Sequence, residues 1–597
     1  MATALETDVL IIGAGPSGMV SALCLAQQGI RSIVVERAAG LATHPKAHEV
    51  NARSLEIFHS LGFTDDELEA EASPPADAAR VVFCKTINEE FGRIDLLAEE
   101  ENAEKYRRHL RSKKPYLNLS QTELEKTVLS RIRRCAETEV LFEHQWEAFE
   151  EEEDAMVSTV QRTSDDTSLQ VRSQYVIAAD GAASRARTAL RIGMQGPDMI
   201  QDFVNAYFEV DLRDHVKTPA KLYWILHPEA AGTLIAHHIE KRWVYHVPIY
   251  SPHERAEDYT EDVFRKRINI ALGTKDEDIR IESISFWRMT AQVATSFRKG
   301  RVFLVGDAAH RFPPTGGLGM NTGIGDAHNL CWKIAAVLKG ESNERILDTY
   351  EEERRSVVER NCAESAANFD KIFEVIEAFG LPRGGMRSMA RVKSLLKWLP
   401  PSWLTAVVRA LGTPASWALR RFDRSRNVKQ KVLESISDQT PHFDRIGLDI
   451  GYVYESGALV PDGSEPAEEG QVTEYVPSTA PGARFPHVWL DSPAATRSIH
   501  DAFDPTRFTL LLGDAGSSWR DAAGGLADVL QSRINVCSVG DLCETEEARL
   551  ELEEICSVGS DGALLIRPDG HVAWREATLA PNARQTLLEA FEGCYIQ

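Results

Sequence analysis

Three glycine-bearing clusters stand out in this chain of 597 residues. Gly13, Gly15 and Gly18 have G-x-G-x-x-G spacing, with Pro16 and Ser17 inside it. Asp180-Gly181 sits in "VIAADGAASRAR", which Arg187 closes, and Gly306-Asp307 leads into "PPTGGLGMNTG", Pro313 to Gly323. The chemistry of the first cluster is readable alone. Gly13 permits a tight turn, Gly15 lets the backbone approach a pyrophosphate, and Gly18 lets a helix pack on a strand. A second group of functional side chains lies between Met194 and Trp287: Trp224, His237, His238, Tyr245, His246 and Trp287. Such residues suit an apolar chamber with few polar contacts. His44 and His48 are four apart, but no carboxylate cluster or third ligand accompanies them, so no metal site is expected.

Regular elements must position these residues. A β-branched run, Val9 to Ile12, precedes the first glycines. A helix pattern follows from Pro16 to Gln28, and an apolar strand, Ile33 to Val35, ends at Glu36 and Arg37. This is a βαβ unit. The helix N-terminus offers free N–H groups to a pyrophosphate. Glu36 stands where an acidic residue bonds a ribose 2′-OH, so the nucleotide here is FAD or NAD rather than NADP. Between Met194 and Trp287 five alternating runs predict an antiparallel sheet. "RVFLVGDAAH" reads as a strand from Val302 to Val305, and a helix is expected to begin near Asn321. "EAFEEEEDA", Glu147 to Ala155, reads as a solvated hairpin tip.

Composition narrows the classes. A formal net charge of -23 argues against nucleic acid, whose phosphates such a surface repels. No apolar run is long enough to span a bilayer, and no signal peptide is expected. Nine scattered cysteines without a C-x-x-C pair fit reduced thiols and a cytoplasmic location. The segment from Arg383 to Lys431 is rich in Lys and Arg, with Asp423 its acidic exception. It is read as a helical connector packed on acidic domains, with contact to a membrane surface as the other reading.

The three clusters, in this order and separation, resemble the single-component FAD-dependent aromatic hydroxylases, the family of p-hydroxybenzoate and phenol hydroxylases. The closest likeness is to the phenol and chlorophenol branch, and it covers the whole chain. The resemblance implies a discontinuous FAD-binding domain of Rossmann type (1–190 and 285–380), an antiparallel substrate domain (191–284) and a helical connector (381–440). A thioredoxin-like α/β domain (441–597) completes the chain. That last domain has Ser517 and Ser518 where a cysteine pair would sit, so it is expected to stabilise or dimerise rather than do redox work.

The same likeness distributes roles. Asp307 would accept hydrogen bonds from flavin ribityl hydroxyls. Pro313, Pro314, Gly317, Gly319, Met320 and Asn321 would run along the isoalloxazine, whose N1–C2=O edge would face a helix N-terminus. Arg53 matches an arginine that contacts the FAD pyrophosphate, and Gln121 a glutamine near FAD. Asp180 and Arg187 match residues that handle both FAD and NAD(P)H. The activity implied is hydroxylation of a small phenolic substrate with NADPH or NADH and O2, through a flavin C4a-hydroperoxide. The alternatives are Baeyer–Villiger oxidation or epoxidation by the same chemistry, and a non-catalytic binding protein on the same fold. A base for the phenol is sought among His48 and Tyr245, and Arg288 is a candidate anchor for an anionic substrate. Trp224, His237, Tyr245, Trp287 and Pro314 are expected to line the pocket. A homodimer is expected.

Overall fold

The computed structural model describes residues 3–596 apart from 97–99, 112–113, 252, 275–277, 382–420, 465–466, 468, 492–496 and 527–530. Most of the predicted connector therefore lies outside the described residues. Its described end holds a helix, Arg426–Ser437.

The apolar runs read from the sequence pair into a six-stranded sheet. Its order is Arg298–Lys299, Val302–Leu304, Tyr175–Ala178, Val9–Ile12, Ser32–Glu36, Thr138–Phe142, and only the first pair is antiparallel. Val9–Ile12, Tyr175–Ala178 and Val302–Leu304 are buried throughout, as continuous apolar strands covered on both faces should be. These three strands are neighbours and parallel, so their C-terminal ends bring Gly13, Asp180 and Gly306 to one edge. Ligands of open α/β sheets bind at such an edge. The helix Pro16–Gln27 follows the first strand as expected, and Ser32–Glu36 ends at Glu36.

The five expected antiparallel strands are all present: Gln201–Glu209, Leu222–Ile225, Gly232–His238, Arg242–Ile249 and Arg280–Met289. The sheet is larger than residues 191–284, however. It has seven strands, because Arg80–Cys84 pairs in parallel with Leu222–Ile225 and Glu90–Asp95 closes that edge. "RVVFC" is a short apolar run far from the others in sequence, and periodicity alone does not assign it a partner. Only the end of the acidic run, residues 152–155, forms the hairpin tip; Glu147 to Glu151 belong to the strand His144–Glu151, paired with Met156–Arg162.

The helix after the glycine run begins at Leu318, three residues before the expected start, and runs to Leu338. Gly316 (φ +99°) and Gly317 (φ +63°) adopt left-handed conformations and make the sharp entry. Leu318–Leu338 packs against Pro16–Gln27 and the long helix Thr349–Ala378. A C-terminal sheet in the order Ile534–Ser538, Phe508–Leu512, Ala563–Ile566, Val572–Glu576 carries helices Ser517–Gly524, Glu546–Cys556 and Ala583–Phe591. Only its first pair is parallel, and Gly570 (φ +79°) lies in the final hairpin, as the Asp569-Gly570 pair predicts. Ser517 and Ser518 open the first of these helices, and all nine cysteines are free. This layer shares one core with the nucleotide sheet: Trp332 meets Phe508 edge-on with ring centroids 5.8 Å apart.

Candidate active site

At the edge where the three strands end, backbone packing leaves no room for side chains. A Cβ on Gly13 would lie 2.4 Å from the Ala179 carbonyl oxygen, and one on Gly18 would lie 2.0 Å from the Gly13 carbonyl oxygen. A Cβ on Gly306 would meet Ser17 Oγ at 2.4 Å, and one on Gly323 would meet it at 2.3 Å. Gly306, Gly323 and Ser17 thus form a junction between the first helix, the Gly-Asp turn and the helix Leu318–Leu338. Gly15 faces open space, and no side chain caps the helix behind it. That open, uncapped N-terminus fits a pyrophosphate.

The carboxylates around this cradle are oriented. Glu36 accepts from the Ala14 N–H (3.0 Å) and the Ala38 N–H (2.9 Å). Asp180 Oδ2 accepts from the Ala186 N–H at 3.1 Å, while Oδ1 is buried with no partner. An orphaned buried acceptor beside a nucleotide cradle is what a missing ligand hydroxyl would satisfy. Asp307 is exposed at its turn. Arg187 is buried and donates to the Ala308 and Ala182 carbonyls (2.8 and 3.1 Å), clamping the Asp-Gly segment to the Gly-Asp turn. Arg37 follows Glu36 at the surface.

The glycine run is fastened at both ends. Thr315 Oγ1 donates to the Ser365 carbonyl at 2.6 Å. Asn321 donates to the Gly317 and Glu49 carbonyls (2.8 and 3.0 Å) and accepts from the Asn51 N–H (3.0 Å). Pro313 is buried, Pro314 is exposed, and Gly319 and Met320 are half-buried. Behind the run lies a cluster that sequence reasoning missed. Asp326 accepts from the Gly306 N–H (3.1 Å) and Arg354 Nε (2.9 Å), and pairs with His310 Nε2 (2.7 Å). Burial alone would push its pKa up, but the His310 and Arg354 charges outweigh that and hold it below the ordinary value. A signal existed: Asp326 is the one carboxylate in the stretch "IGDAHNLCWKIAAVL".

Strand alternation sorts the substrate candidates. Successive residues point to opposite faces. Phe203, Asn205, His246 and Trp287 share one face. Phe203 stacks on Trp287 (4.6 Å, 7°), Trp287 Nε1 donates to Asn205 Oδ1 (2.8 Å), and His246 meets Trp287 edge-on (5.9 Å). His44 Nδ1 pairs with Ser283 Oγ at 2.7 Å. His48 pairs with Asn118 at 2.8 Å and faces the ring of His237 at 5.3 Å. Burial lowers the pKa of all four imidazoles, His237 well below its ordinary value and His246 to about 3.

Other candidates lie elsewhere. Tyr245, one residue from His246, points into the opposite core against Phe264, and its hydroxyl donates to the Ala230 carbonyl. Neither the base role nor the pocket position expected of it is compatible with that burial. Arg288 lies on the outer face, 49% exposed, with Nε 2.8 Å from Asp202 Oδ1, so it is a surface ion pair rather than a substrate anchor. Trp224 shares the His246 face through Thr233, the residue opposite both, and stacks on Phe83 (6.1 Å, 13°) in an aromatic cluster with Phe91, Phe379 and Phe422. Arg53 is buried, and its guanidinium donates to Glu56 (3.0 Å) and the Asp569 carbonyl (2.7 Å), turned toward the C-terminal layer. Gln121 accepts from the Ala47 N–H (3.3 Å) and donates to Glu125 (2.7 Å) at the start of its helix.

Comparison with known proteins agrees with this geometry. The pattern of the FAD binding domain family matches residues 6–365, and that of the aromatic-ring hydroxylase C-terminal domain matches residues 478–594. The chain is 31% identical to 2,4-dichlorophenol 6-monooxygenase of Delftia acidovorans, over 96% of this chain and 95% of that protein. It is 30% identical to aklavinone 12-hydroxylase RdmE of Streptomyces purpurascens, over 98% and 97%. Among solved structures, the flavin-dependent monooxygenase PieE, in complex with FAD and substrate, superposes with a TM-score of 0.86 at 30% identity, over 99% of this chain and 100% of that one.

Proposed function

The chain belongs to the family of FAD-binding aromatic-ring hydroxylases, and on that premise we propose that its substrate is a phenol seated between the glycine run and the histidine face, with His48 as the base. The chain is an FAD-dependent monooxygenase that uses NAD(P)H and O2. Bound FAD supplies reduction by the nicotinamide and activation of oxygen. The protein's own residues bind, orient and exclude water. Gly13, Gly15, Pro16, Ser17 and Gly18 cradle the pyrophosphate, Glu36 the ribose, and Asp180 and Asp307 further hydroxyls. Pro313, Gly317 and Gly319 give the flat ring a backbone floor.

One observation carries the assignment of His48. It directly precedes Glu49, whose carbonyl holds Asn321 at the start of the glycine-run helix, and its ring faces His237 of the sheet. His48 therefore stands between the two walls of the proposed pocket. A neutral imidazole within reach of a phenol hydroxyl raises the ring's nucleophilicity by taking its proton. His237, His246 and Trp287 form the opposite wall.

The test is NADPH and NADH oxidation in air across phenols, anilines and polycyclic phenols, with products read by mass and connectivity. Relatives named for a chlorophenol and for aklavinone stand at nearly equal identity, so the panel spans both sizes. Stimulation with gain of one oxygen atom on an aromatic carbon supports the reading. An ester or lactone product would replace it with Baeyer–Villiger chemistry, and an epoxide with epoxidation. The reading includes a cytoplasmic homodimer. It is supported by nine free cysteines and by the outward apolar residues Ile284 and Phe286 on the edge strand Arg280–Met289. Among the described residues no helix is long and apolar enough to cross a membrane. Light scattering and cell fractionation check these two points.

A further inference from the structure

Asn118 lies beneath His48 on the strand Tyr116–Asn118, opposite Glu49, and is 3% exposed. Its amide nitrogen faces two acceptors, the Ala236 carbonyl at 2.9 Å and Ser73 Oγ at 3.0 Å. Ser73 has no second hydrogen to offer, because its hydroxyl donates to the His237 carbonyl at 2.8 Å. A carboxamide has one donor end and one acceptor end. Two acceptors on one side therefore fix the amide, and Oδ1 must be the atom facing His48 Nδ1 at 2.8 Å. An amide oxygen carries no hydrogen, so that contact is a hydrogen bond only when Nδ1 is protonated. In the neutral ring the lone pair is then on Nε2.

We propose that Asn118 is a positioning residue that locks His48 in the Nδ1–H tautomer, leaving Nε2 as the acceptor for a substrate O–H. The inference rests on the reading of His48 as base and deepens it: a weakly acidic phenol is bound as a neutral hydroxyl donor and loses its proton only in the site. In the step, the phenol O–H bond breaks, its electron pair stays on oxygen, and an Nε2–H bond forms. The resulting imidazolium keeps its Nδ1–H bond to Asn118. Charged or titratable groups facing His48 are Glu49, Lys221, Arg445, His237 and His246. Burial, the largest influence, with the Lys221 and Arg445 charges, lowers the imidazole pKa against the Asn118 bond and the Glu49 charge, which raise it, and so favours the neutral ring. His237, with both ring nitrogens unpartnered, is left free to contact the substrate on the other side.

The test compares wild type, Asn118→Ala, Asn118→Asp and His48→Gln, each as FAD holoenzyme, on phenols of graded acidity. Asn118→Ala is expected to lower kcat/KM on weakly acidic phenols on the order of 10- to 100-fold. On polyhalogenated phenols already ionised at the assay pH the loss should shrink to under about twofold. A merely structural defect lowers both alike. A readout without turnover is the absorbance change of bound 4-nitrophenol, whose ionisation should shift to higher pH in Asn118→Ala. Asn118→Asp restores an acceptor, and an opposite charge raises an imidazole pKa. The acid limb of its kcat/KM profile should move to higher pH, and this decides the matter if Asn118→Ala does not fold. Equal losses on weak and strong phenols in Asn118→Ala, with a selective loss in His48→Gln, would overturn the role of Asn118 and leave His48 the base. Equal losses in His48→Gln would overturn the base itself.

Discussion

Arg567 donates through both terminal nitrogens to the two carboxylate oxygens of Glu353, each at 2.8 Å, with both side chains fully buried. The pair joins the C-terminal hairpin to the long helix Thr349–Ala378. Glu353 also accepts from Lys333 (2.7 Å) and Asn329 (2.6 Å) on the helix that follows the glycine run. Arg567 pairs further with Asp569, whose carbonyl accepts from Arg53. A second buried pair, Arg484 with Glu56, crosses the same boundary. The C-terminal layer is thus riveted to the nucleotide domain by charges that water does not reach.

A buried charge left alone costs about 3–5 kcal/mol. Lys333 still pairs with Glu353 and Arg53 with Glu56, so Arg567→Met and Arg484→Met should each lower unfolding stability by at most that amount, both read by urea titration of the holoprotein. Glu353 is held at about 2, because the Arg567 and Lys333 charges outweigh a burial that by itself raises its pKa. A depressed carboxylate contributes stability above its unfolded value of about 4.5, lost as pH falls toward 2. Wild type should therefore lose stability across that window, and Glu353→Gln should show a shallower loss. An unchanged slope would count against the pair.

The glycine junction gives a prediction with an internal control. A Cβ on Gly323 would sit 2.9 Å from Gly306 Cα as well as against Ser17. Overpacking of this kind costs about 1–3 kcal/mol. Gly323→Ala should weaken both the apoprotein and FAD affinity, the latter roughly 10- to 100-fold. At Gly15 the added methyl meets nothing within 4 Å. Gly15→Ala should leave apoprotein melting unchanged yet weaken FAD binding, as read by visible absorbance after dialysis. Full retention of flavin in Gly15→Ala would move the pyrophosphate away from that turn.

Two expected catalytic residues yield the opposite prediction. Arg288→Ala removes a half-exposed ion pair of the kind worth about 0–1 kcal/mol, and kcat and KM should stay within about twofold. Tyr245→Phe removes a buried hydroxyl whose hydrogen bond is worth about 0.5–1.5 kcal/mol. It should lower the melting temperature and spare turnover. A tenfold fall in kcat for either would place that side chain in the pocket.

The histidine face makes stability depend on pH in a stated direction. His44, His48, His237 and His246 are depressed by burial, His246 to about 3. In the unfolded chain they titrate near about 6.5. Between the folded and unfolded values the unfolded state binds more protons, so stability rises with pH and falls as pH drops below about 6.5. Each imidazole contributes up to about 1.4 kcal/mol per pH unit. Denaturation midpoints at several pH values should fall on acidification, and His246→Gln should flatten the slope by one proton.

The nucleotide edge was legible because its signals are local. A glycine too close to a carbonyl, a strand ending in Glu36 and a helix opening at Pro16 are each set within a few residues. The same holds for the five substrate strands. What failed was orientation. Tyr245 and His246 are adjacent, and period two sends one into the core and the other to the face with Asn205 and Trp287, which only the register of Ala206 with Tyr245 decides. Arg288 was misread for the same reason. Arg53 turned away because its partners, Glu56 and the Asp569 carbonyl, include one that local sequence does not announce. Asn118 carried no motif: its meaning comes from Ser73, Ala236 and His48, three segments that meet only in the folded sheet.

The hairpin Arg80–Asp95 has a consequence for how this protein is made and rebuilt. Its strand Arg80–Cys84 leaves the ribosome long before Leu222–Ile225, the neighbour it pairs with in parallel. Until then its apolar side chains wait without their partner, so chaperone demand should concentrate in that interval of synthesis. The same wiring bears on chimeras. Grafting residues 191–284 from a relative would import four whole strands, cut the fifth, Arg280–Met289, and set the new edge against the recipient's own Arg80–Asp95 hairpin, where a poor fit opens a ladder prone to association. An exchange of substrate preference between relatives has to carry both pieces of chain together.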